Sequence, residues 1–248
     1  MPAALALFIE LLHRALVALP LDWFLSTSCP LCGSHKPCNS PVLTPCEHCQ
    51  VRLNLFNKGV SGSFPLRWWA AAKYEGDLRL LLLRLRKRPN TKAIGALVMG
   101  LNLTPFKCRK PPLLVPIPSW KRASNPLPSL VCEEISRQQG LQRDALLVRS
   151  RPVLSQHKLR REMRLTNQVG SFHCLRRPGA GSTSCRAVLM VDDILTTGAT
   201  ACNAARALRQ VGWRVAGLVC LARTPQAVTY NKRVVAASRD SSVGRAGD

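Results

Sequence analysis

Apolar positions along the chain follow two periods. Near the start, Leu5, Phe8, Ile9, Leu12, Leu16 and Leu19 fall three or four residues apart. That is the spacing of one helix face, so residues 1–25 are expected to form an amphipathic helix that packs on the body. YEGDLRLLLLRLRKR, residues 74–88, sets leucines on one face and arginines on the other and predicts a second helix. LPSLVCEEISRQQG, residues 127–140, predicts a third, closed by Gly140, and TACNAARALRQVG, residues 200–212, a fourth, stopped by Gly212. Between the helices lie short strand-like runs: LLVPIP (113–118), ALLVRS (145–150), RAVLMV (186–191) and WRVAGLVCLA (213–222). Strands alternating with helices predict an α/β fold around a parallel sheet.

Other stretches lack either period. NKGVSGSFP, residues 57–65, reads as a linker. RPVLSQHKLRREMRLTNQ, residues 151–168, is polar and basic, and residues 226–248 form a tail without regular pattern that is expected to be disordered. No internal repeat is evident. No segment is long and apolar enough to span a bilayer. The N-terminal stretch comes nearest, but Glu10, His13 and Arg14 interrupt it, and no basic n-region of a signal peptide precedes it. A cytoplasmic location is therefore expected. The chain divides into the helix 1–25, a cysteine-rich segment 26–56, an α/β domain 70–225 and the tail 226–248.

Charge adds a constraint. The chain carries 36 Lys and Arg against 13 Asp and Glu, a net +23, which favours polyanionic partners such as nucleic acid, phosphorylated small molecules or anionic membrane surfaces. The plainer alternative is a surface that uses arginine generically.

Eleven cysteines occur, five of them within residues 26–50. Cys29-Pro-Leu-Cys32 and Cys46-Glu-His-Cys49 are two C-x-x-C knuckles thirteen residues apart. Each knuckle turns both sulfurs towards one centre, and four thiolates complete a tetrahedral zinc site. So few apolar residues surround them that bound metal would supply the segment's folding energy. Cys38, His35 and His48 lie close enough in sequence to substitute as ligands. Free thiols or a redox pair are the alternatives, but redox pairs stand at a helix start after a strand, and neither knuckle reads so. Cys108, Cys132, Cys174, Cys185, Cys202 and Cys220 have no paired spacing and are expected to pack as small apolar residues.

AVLMVDDILTTGAT, residues 187–200, carries the candidate chemistry. A strand that runs through small and hydroxyl residues into a helix builds an anion site. The N–H groups of Thr196, Thr197, Gly198, Ala199 and Thr200 share one concavity with the positive end of the helix dipole. Carboxylates beside a phosphate would repel it. Asp192 and Asp193 make sense as acceptors for the hydroxyls of a sugar joined to that phosphate, or as helpers for Mg²⁺. A simple helix N-cap is the alternative, but one cap does not need five such residues in a row.

VLMVDDILTTGAT resembles the phosphoribosyl pyrophosphate (PRPP) motif of type I phosphoribosyltransferases. Together with the four-cysteine knuckle it resembles the ComF family (ComFC/GntX-like) over roughly residues 26–225. Tyr74-Glu75-Gly76, Val115-Pro116-Ile117-Pro118, Gln156, Arg164-Leu165-Thr166-Asn167 and Gly170-Ser171-Phe172 also match that family's pattern. The resemblance implies a type I phosphoribosyltransferase-like fold, parallel in its sheet, with a small N-terminal zinc-ribbon-like module. It implies that Asp192 and Asp193 bind ribose hydroxyls and that Thr196 to Thr200 hold the 5-phosphate. It places the turn after Pro118 at the pyrophosphate, with Ser119, Lys121 and Arg122. The stretch with Arg149, Arg151, Lys158, Arg160, Arg161 and Arg164 would close over it. Mg²⁺ would enter with PRPP, and structural zinc would sit on Cys29, Cys32, Cys46 and Cys49. The partners implied are single-stranded DNA, a helicase and competence proteins.

The chain departs from the family after Pro118, where residues 119–128 read SWKRASNPLP and keep only Asn125 of the usual Arg-Gly-Phe-Asn-Gln. Three readings follow: a PRPP-binding protein of ComF type in DNA uptake or use of external DNA; an active phosphoribosyltransferase on a nucleobase or small amine; or a zinc-dependent nucleic-acid adaptor whose PRPP site is vestigial. The altered 119–128 segment speaks against the second, and the intact 192–200 motif against the third.

Overall fold

The computed structural model describes residues 27–37, 40–55, 59–119, 125–149, 171–178 and 186–225. The helix expected over residues 1–25, the basic stretch 151–168 with Lys158, Arg160 and Arg164, the pair Lys121 and Arg122, and the tail 226–248 lie outside the described residues.

Strands β1 (Thr27–Ser28) and β2 (His35–Lys36) pair antiparallel around the first knuckle, and helix α1 (Glu47–Leu53) begins within the second. Next come β3 (Val60–Gly62), β4 (Trp68–Lys73), helix α2 (Gly76–Lys87), helix α3 (Thr91–Met99) and a 3-10 turn at Thr104–Phe106. The chain continues through β5 (Leu113–Pro116), α4 (Leu127–Gln139), β6 (Leu147–Arg149), β7 (Phe172–Cys174), β8 (Ala187–Leu195), α5 (Ala199–Gln210) and β9 (Arg214–Arg223). The central sheet has the order β3-β4-β9-β8-β5. β4, β9, β8 and β5 are parallel, and only the edge strand β3 is antiparallel. The fold is thus mixed α/β with a parallel sheet and a cysteine cluster.

Several expectations need correction. Residues 60–62 are an edge strand of the sheet, not linker. ALLVRS does not join the parallel sheet: β6 pairs antiparallel with β7 in a separate ribbon. β8 runs four residues past Val191, because β9 extends to Arg223 and keeps pairing Asp192 with Cys220, Ile194 with Ala222 and Leu195 with Arg223.

The sheet is buried on both faces, and the alternation of its side chains fixes where the site can form. Leu189 and Val191 of β8 join the core with Leu97, Val131 and Ile135, on the face of α3 and α4. Val188 and Met190 join the opposite core with Ala201, Ala204, Ala205 and Leu208 of α5. Continued along β8, the same alternation sends Asp193 towards one face and Asp192 towards the other.

Gly140 ends α4 in the left-handed region (φ 66°), as its position after the last periodic residue predicts. Asn90 caps α3, its side-chain oxygen accepting the Ala93 N–H at 3.0 Å.

Candidate functional site

The four knuckle cysteines converge. The sulfurs of Cys29, Cys32, Cys46 and Cys49 all lie within 4.8 Å of one another. Cys32 and Cys46 are 3.6 Å apart. A tetrahedron with Zn–S bonds of about 2.3 Å has sulfur–sulfur edges of about 3.8 Å, so the donor set fits that ion. Cys29 and Cys49 are buried, Cys46 partly so, and Cys32 faces solvent. The Ser34 hydroxyl, 3.0 Å from the Cys32 sulfur, and the Ser34 N–H hold that thiol down at about 6. Burial raises Cys29, yet the N–H groups of Cys46, Leu31 and Cys32 outweigh it and lower its pKa; the Cys46 bond is 3.3 Å. Burial pushes the Cys49 thiol up. Thiolate charge is therefore stabilised on one knuckle, where a cation would be met.

The segment between the knuckles is pinned from inside. Lys36 is buried, and its Nζ donates to the carbonyls of Pro41 at 2.9 Å and Thr44 at 2.6 Å. His35 and His48 are exposed and outside the sulfur group; Cys38 lies outside the described residues. Cys46 stands at the N-cap of α1, so the second pair does open a helix, contrary to the expectation, but its sulfurs share one centre with the first pair. Beyond it, Leu53 and Leu55 enter the main core, and Arg52 meets Asp77 of α2 at 2.5 Å. Of the remaining cysteines, Cys132 and Cys220 pack as expected, whereas Cys108 is exposed and does not.

The second constellation stands at the end of β8. Asp193 is 3% exposed and both its oxygens are taken. Oδ2 accepts from Arg86 Nε of α2 at 2.7 Å and from Asn125 Nδ2 at 2.8 Å, while Oδ1 accepts the Ile194 N–H at 2.8 Å. Asn125 Oδ1 accepts the Leu127 N–H at 3.2 Å, so one side chain ties the start of α4 to β8. Asp192 is partly exposed on the other face. Its Oδ1 accepts the Asp193 N–H at 2.9 Å, and it makes no ion pair among the described residues. Burial and the neighbouring Asp193 charge push its carboxyl well above the usual carboxylate range.

Gly198 follows in the left-handed region at φ 83°. A Cβ there would lie 2.3 Å from Pro65 Cγ, so only glycine fits this turn. Thr196 and Thr197 are exposed, Gly198 and Ala199 buried, and Thr200 partly buried. The Ala199 N–H donates to Thr197 Oγ1 at 3.4 Å. Arg223 of β9 fastens the loop from behind, its Nη1 donating to the carbonyls of Leu195 (3.0 Å) and Thr196.

Ser119 lies at the same end of the sheet, two residues after Ile117, whose N–H donates to the Val191 carbonyl at 2.8 Å. Arg149 of β6 holds this turn. Its Nε donates to the Pro118 carbonyl at 2.9 Å, and its guanidinium lies 4.5 Å from the Phe172 ring centre. Burial lowers the Arg149 pKa, and the Asp192 charge acts in the opposite sense. Asp192, Asp193, Ser119 and residues 196–200 thus gather at one edge, whereas Lys121, Arg122, Lys158, Arg160 and Arg164 lie outside the described residues. Arg86, the partner of Asp193, was not singled out from sequence, and Asn125 was named there only as what remains of the family's segment after Pro118, not as a bridge. Arg86 had a readable signal, since it continues the i, i+4 row of the buried Leu78 and Leu82.

No known family profile matches the chain. It is 28% identical over 210 residues to the DNA utilization protein YhgH of Escherichia coli O157:H7, a match covering 80% of this chain and 85% of that protein. The protein of the same name from Escherichia coli strain K12 is 29% identical over 210 residues, with the same coverage. That from Salmonella typhi is 27% identical over 208 residues, covering 79% of this chain and 84% of the relative. Among solved structures, TT1426 from Thermus thermophilus is 19% identical, covers 55% of this chain and 83% of its own, and superposes with a TM-score of 0.31, too low to bear on the fold.

Proposed function

We propose that this chain is a PRPP-binding protein of the ComF type that serves DNA uptake or the use of external DNA. The observation that carries the reading is the unbroken run from β8 through Asp192 and residues 196–198 into α5. Peptide N–H groups at the start of that helix suit a 5-phosphate. Asp192 takes the ribose hydroxyls. Asp193, with both oxygens engaged by the protein, is a positioning residue that aligns the strand end. Ser119 and the turn that Arg149 holds face the pyrophosphate, and Lys121, Arg122, Lys158, Arg160 and Arg164 supply cations to it. Mg²⁺ enters with PRPP, and Asp192, unpaired with any cation among the described residues, is the carboxylate suited to assist it.

Zinc is the proposed resident metal of Cys29, Cys32, Cys46 and Cys49. It supplies cross-linking energy to a segment with little apolar core. The DNA half of the reading is supported by the relatives named for DNA utilization.

Calorimetric titration with PRPP and Mg²⁺ is the test. Saturable heat from folded, zinc-loaded protein is expected, and it should disappear in Asp192→Asn. Absence of heat from the unaltered protein would sink the PRPP reading. Pyrophosphate release on adding nucleobases would turn the reading towards an active transferase.

A further inference from the structure

The loop joining β3 to β4 carries features that the strand-end site leaves unused. Phe64 is 69% exposed, more than any other large apolar side chain among the described residues. Its carbonyl accepts the Trp68 Nε1–H at 3.0 Å, which ties the loop back to the start of β4. Pro65 beside it rests against Gly198, so the loop is propped on the start of α5. Phe64 is therefore an aromatic face held towards solvent on a supported loop.

Two cavities flank it. One, of about 710 Å³, lies between the loop and the outer face of α5 and is lined by Arg67, Arg206 and Arg209. The other, of about 330 Å³, is lined by Phe64 itself, Trp68, Lys73 and Arg223. No carboxylate lines either cavity among the described residues. Arg206 and Arg209 are three apart on one face of α5, a helix without any acidic residue. A generic arginine surface would not also present a supported aromatic between two basic hollows. An apolar protein partner would not need three arginines beside the contact.

We infer that single-stranded nucleic acid binds along this loop and the outer face of α5. A base stacks on Phe64, and Arg67, Arg206 and Arg209 receive the phosphates. Stacking is open only to unpaired bases, because a duplex keeps its base faces covered. The inference rests on the DNA half of the proposed function and is independent of PRPP.

The test uses the full zinc-loaded chain and a fluorescent oligothymidylate of about 12 nucleotides, read by anisotropy across a salt series. Phe64→Ala should weaken binding about ten-fold. The double change Arg206→Ala/Arg209→Ala should reduce the slope of log affinity against log salt by about 1.4. Both variants should keep the PRPP heat of the unaltered protein, and Asp192→Asn should keep the oligonucleotide affinity. Failure of PRPP binding alone therefore leaves this inference standing. Oligonucleotide binding that neither variant changes would overturn it. So would a duplex of equal length that binds as tightly, or displacement by polyglutamate at equal charge, which would assign the surface to an acidic protein.

Discussion

Arg86 Nε lies 2.7 Å from Asp193 Oδ2, joining α2 to the end of β8 across 107 residues of sequence. The carboxylate is almost fully buried, whereas the Arg86 side chain is 34% exposed. Removing the arginine leaves a buried charge with only Asn125 and one peptide N–H. Arg86→Met, which keeps most of the packing volume, should cost about 2 kcal/mol, less than the penalty for breaking a fully buried pair because water reaches the arginine side. Asn125→Ala should cost about 1 kcal/mol through a lost charge-assisted hydrogen bond and the lost link to Leu127. Urea unfolding midpoints measure both, and an unchanged midpoint for Arg86→Met would remove the pair from any structural role.

Asp192 should behave in the opposite way. Its folded pKa is raised above the unfolded value by burial and by Asp193. The folded state therefore binds this proton more tightly, and its contribution to stability is complete below the unfolded value of about 3.9. That contribution is lost as pH rises towards the folded value. Asp192→Asn should be more stable than the unaltered chain at pH 7, with the gain vanishing as pH falls to about 4. The same variant should lose PRPP heat. Thermal melts across pH decide it: an Asn variant less stable at neutral pH would show Asp192 to be a structural acid.

The cysteine site predicts one zinc per chain by metal analysis. Changing any of Cys29, Cys32, Cys46 or Cys49 to serine should release it. Cys108→Ser should not, since Cys108 is exposed and outside the sulfur group. On chelation, hydrogen exchange should quicken first across residues 27–53, while β8 and β9, buried at the sheet centre, stay protected. Equal loss of protection in β8 would mean that the metal supports the whole fold.

Much of this was readable from sequence, and the rest failed for identifiable reasons. The amphipathic helices α2, α4 and α5 have apolar stripes and were legible. α3 was not: Ala93 to Val98 are all buried, so the helix has no polar face to generate a period. β4 reads WWAAAK, and alanine carries no strand preference; pairing with β9 and burial on both faces impose the extended form. The cysteine site was legible because its ligands lie in two short motifs. The strand-end site was only half legible. Its loop 196–200 is local, but the Asp193 partners come from α2 and from the stretch before α4, and no local pattern couples residues so far apart. The separate faces of Asp192 and Asp193 followed only once β8 was seen to continue through them.

Gly198 gives the sharpest test of the loop itself. Its φ of 83° is one that residues with a Cβ rarely adopt, and a Cβ would lie 2.3 Å from Pro65 Cγ and 2.9 Å from Pro65 Cδ. Proline cannot swing aside as a flexible side chain can. Gly198→Ala must therefore strain the turn or push the 63–67 loop off the start of α5. The expected cost is about 2 kcal/mol, from positive-φ strain and overpacking together. Because the peptide groups of residues 197–199 would tilt, PRPP affinity should fall by about ten-fold or more even where the protein remains folded. Thr196→Ser keeps the backbone and a hydroxyl at the neighbouring position and should change neither stability nor PRPP affinity by more than about two-fold, within the usual range for an exposed substitution. If Gly198→Ala binds PRPP as well as the unaltered chain, the phosphate is not held by this loop, and the proposed site must be sought elsewhere.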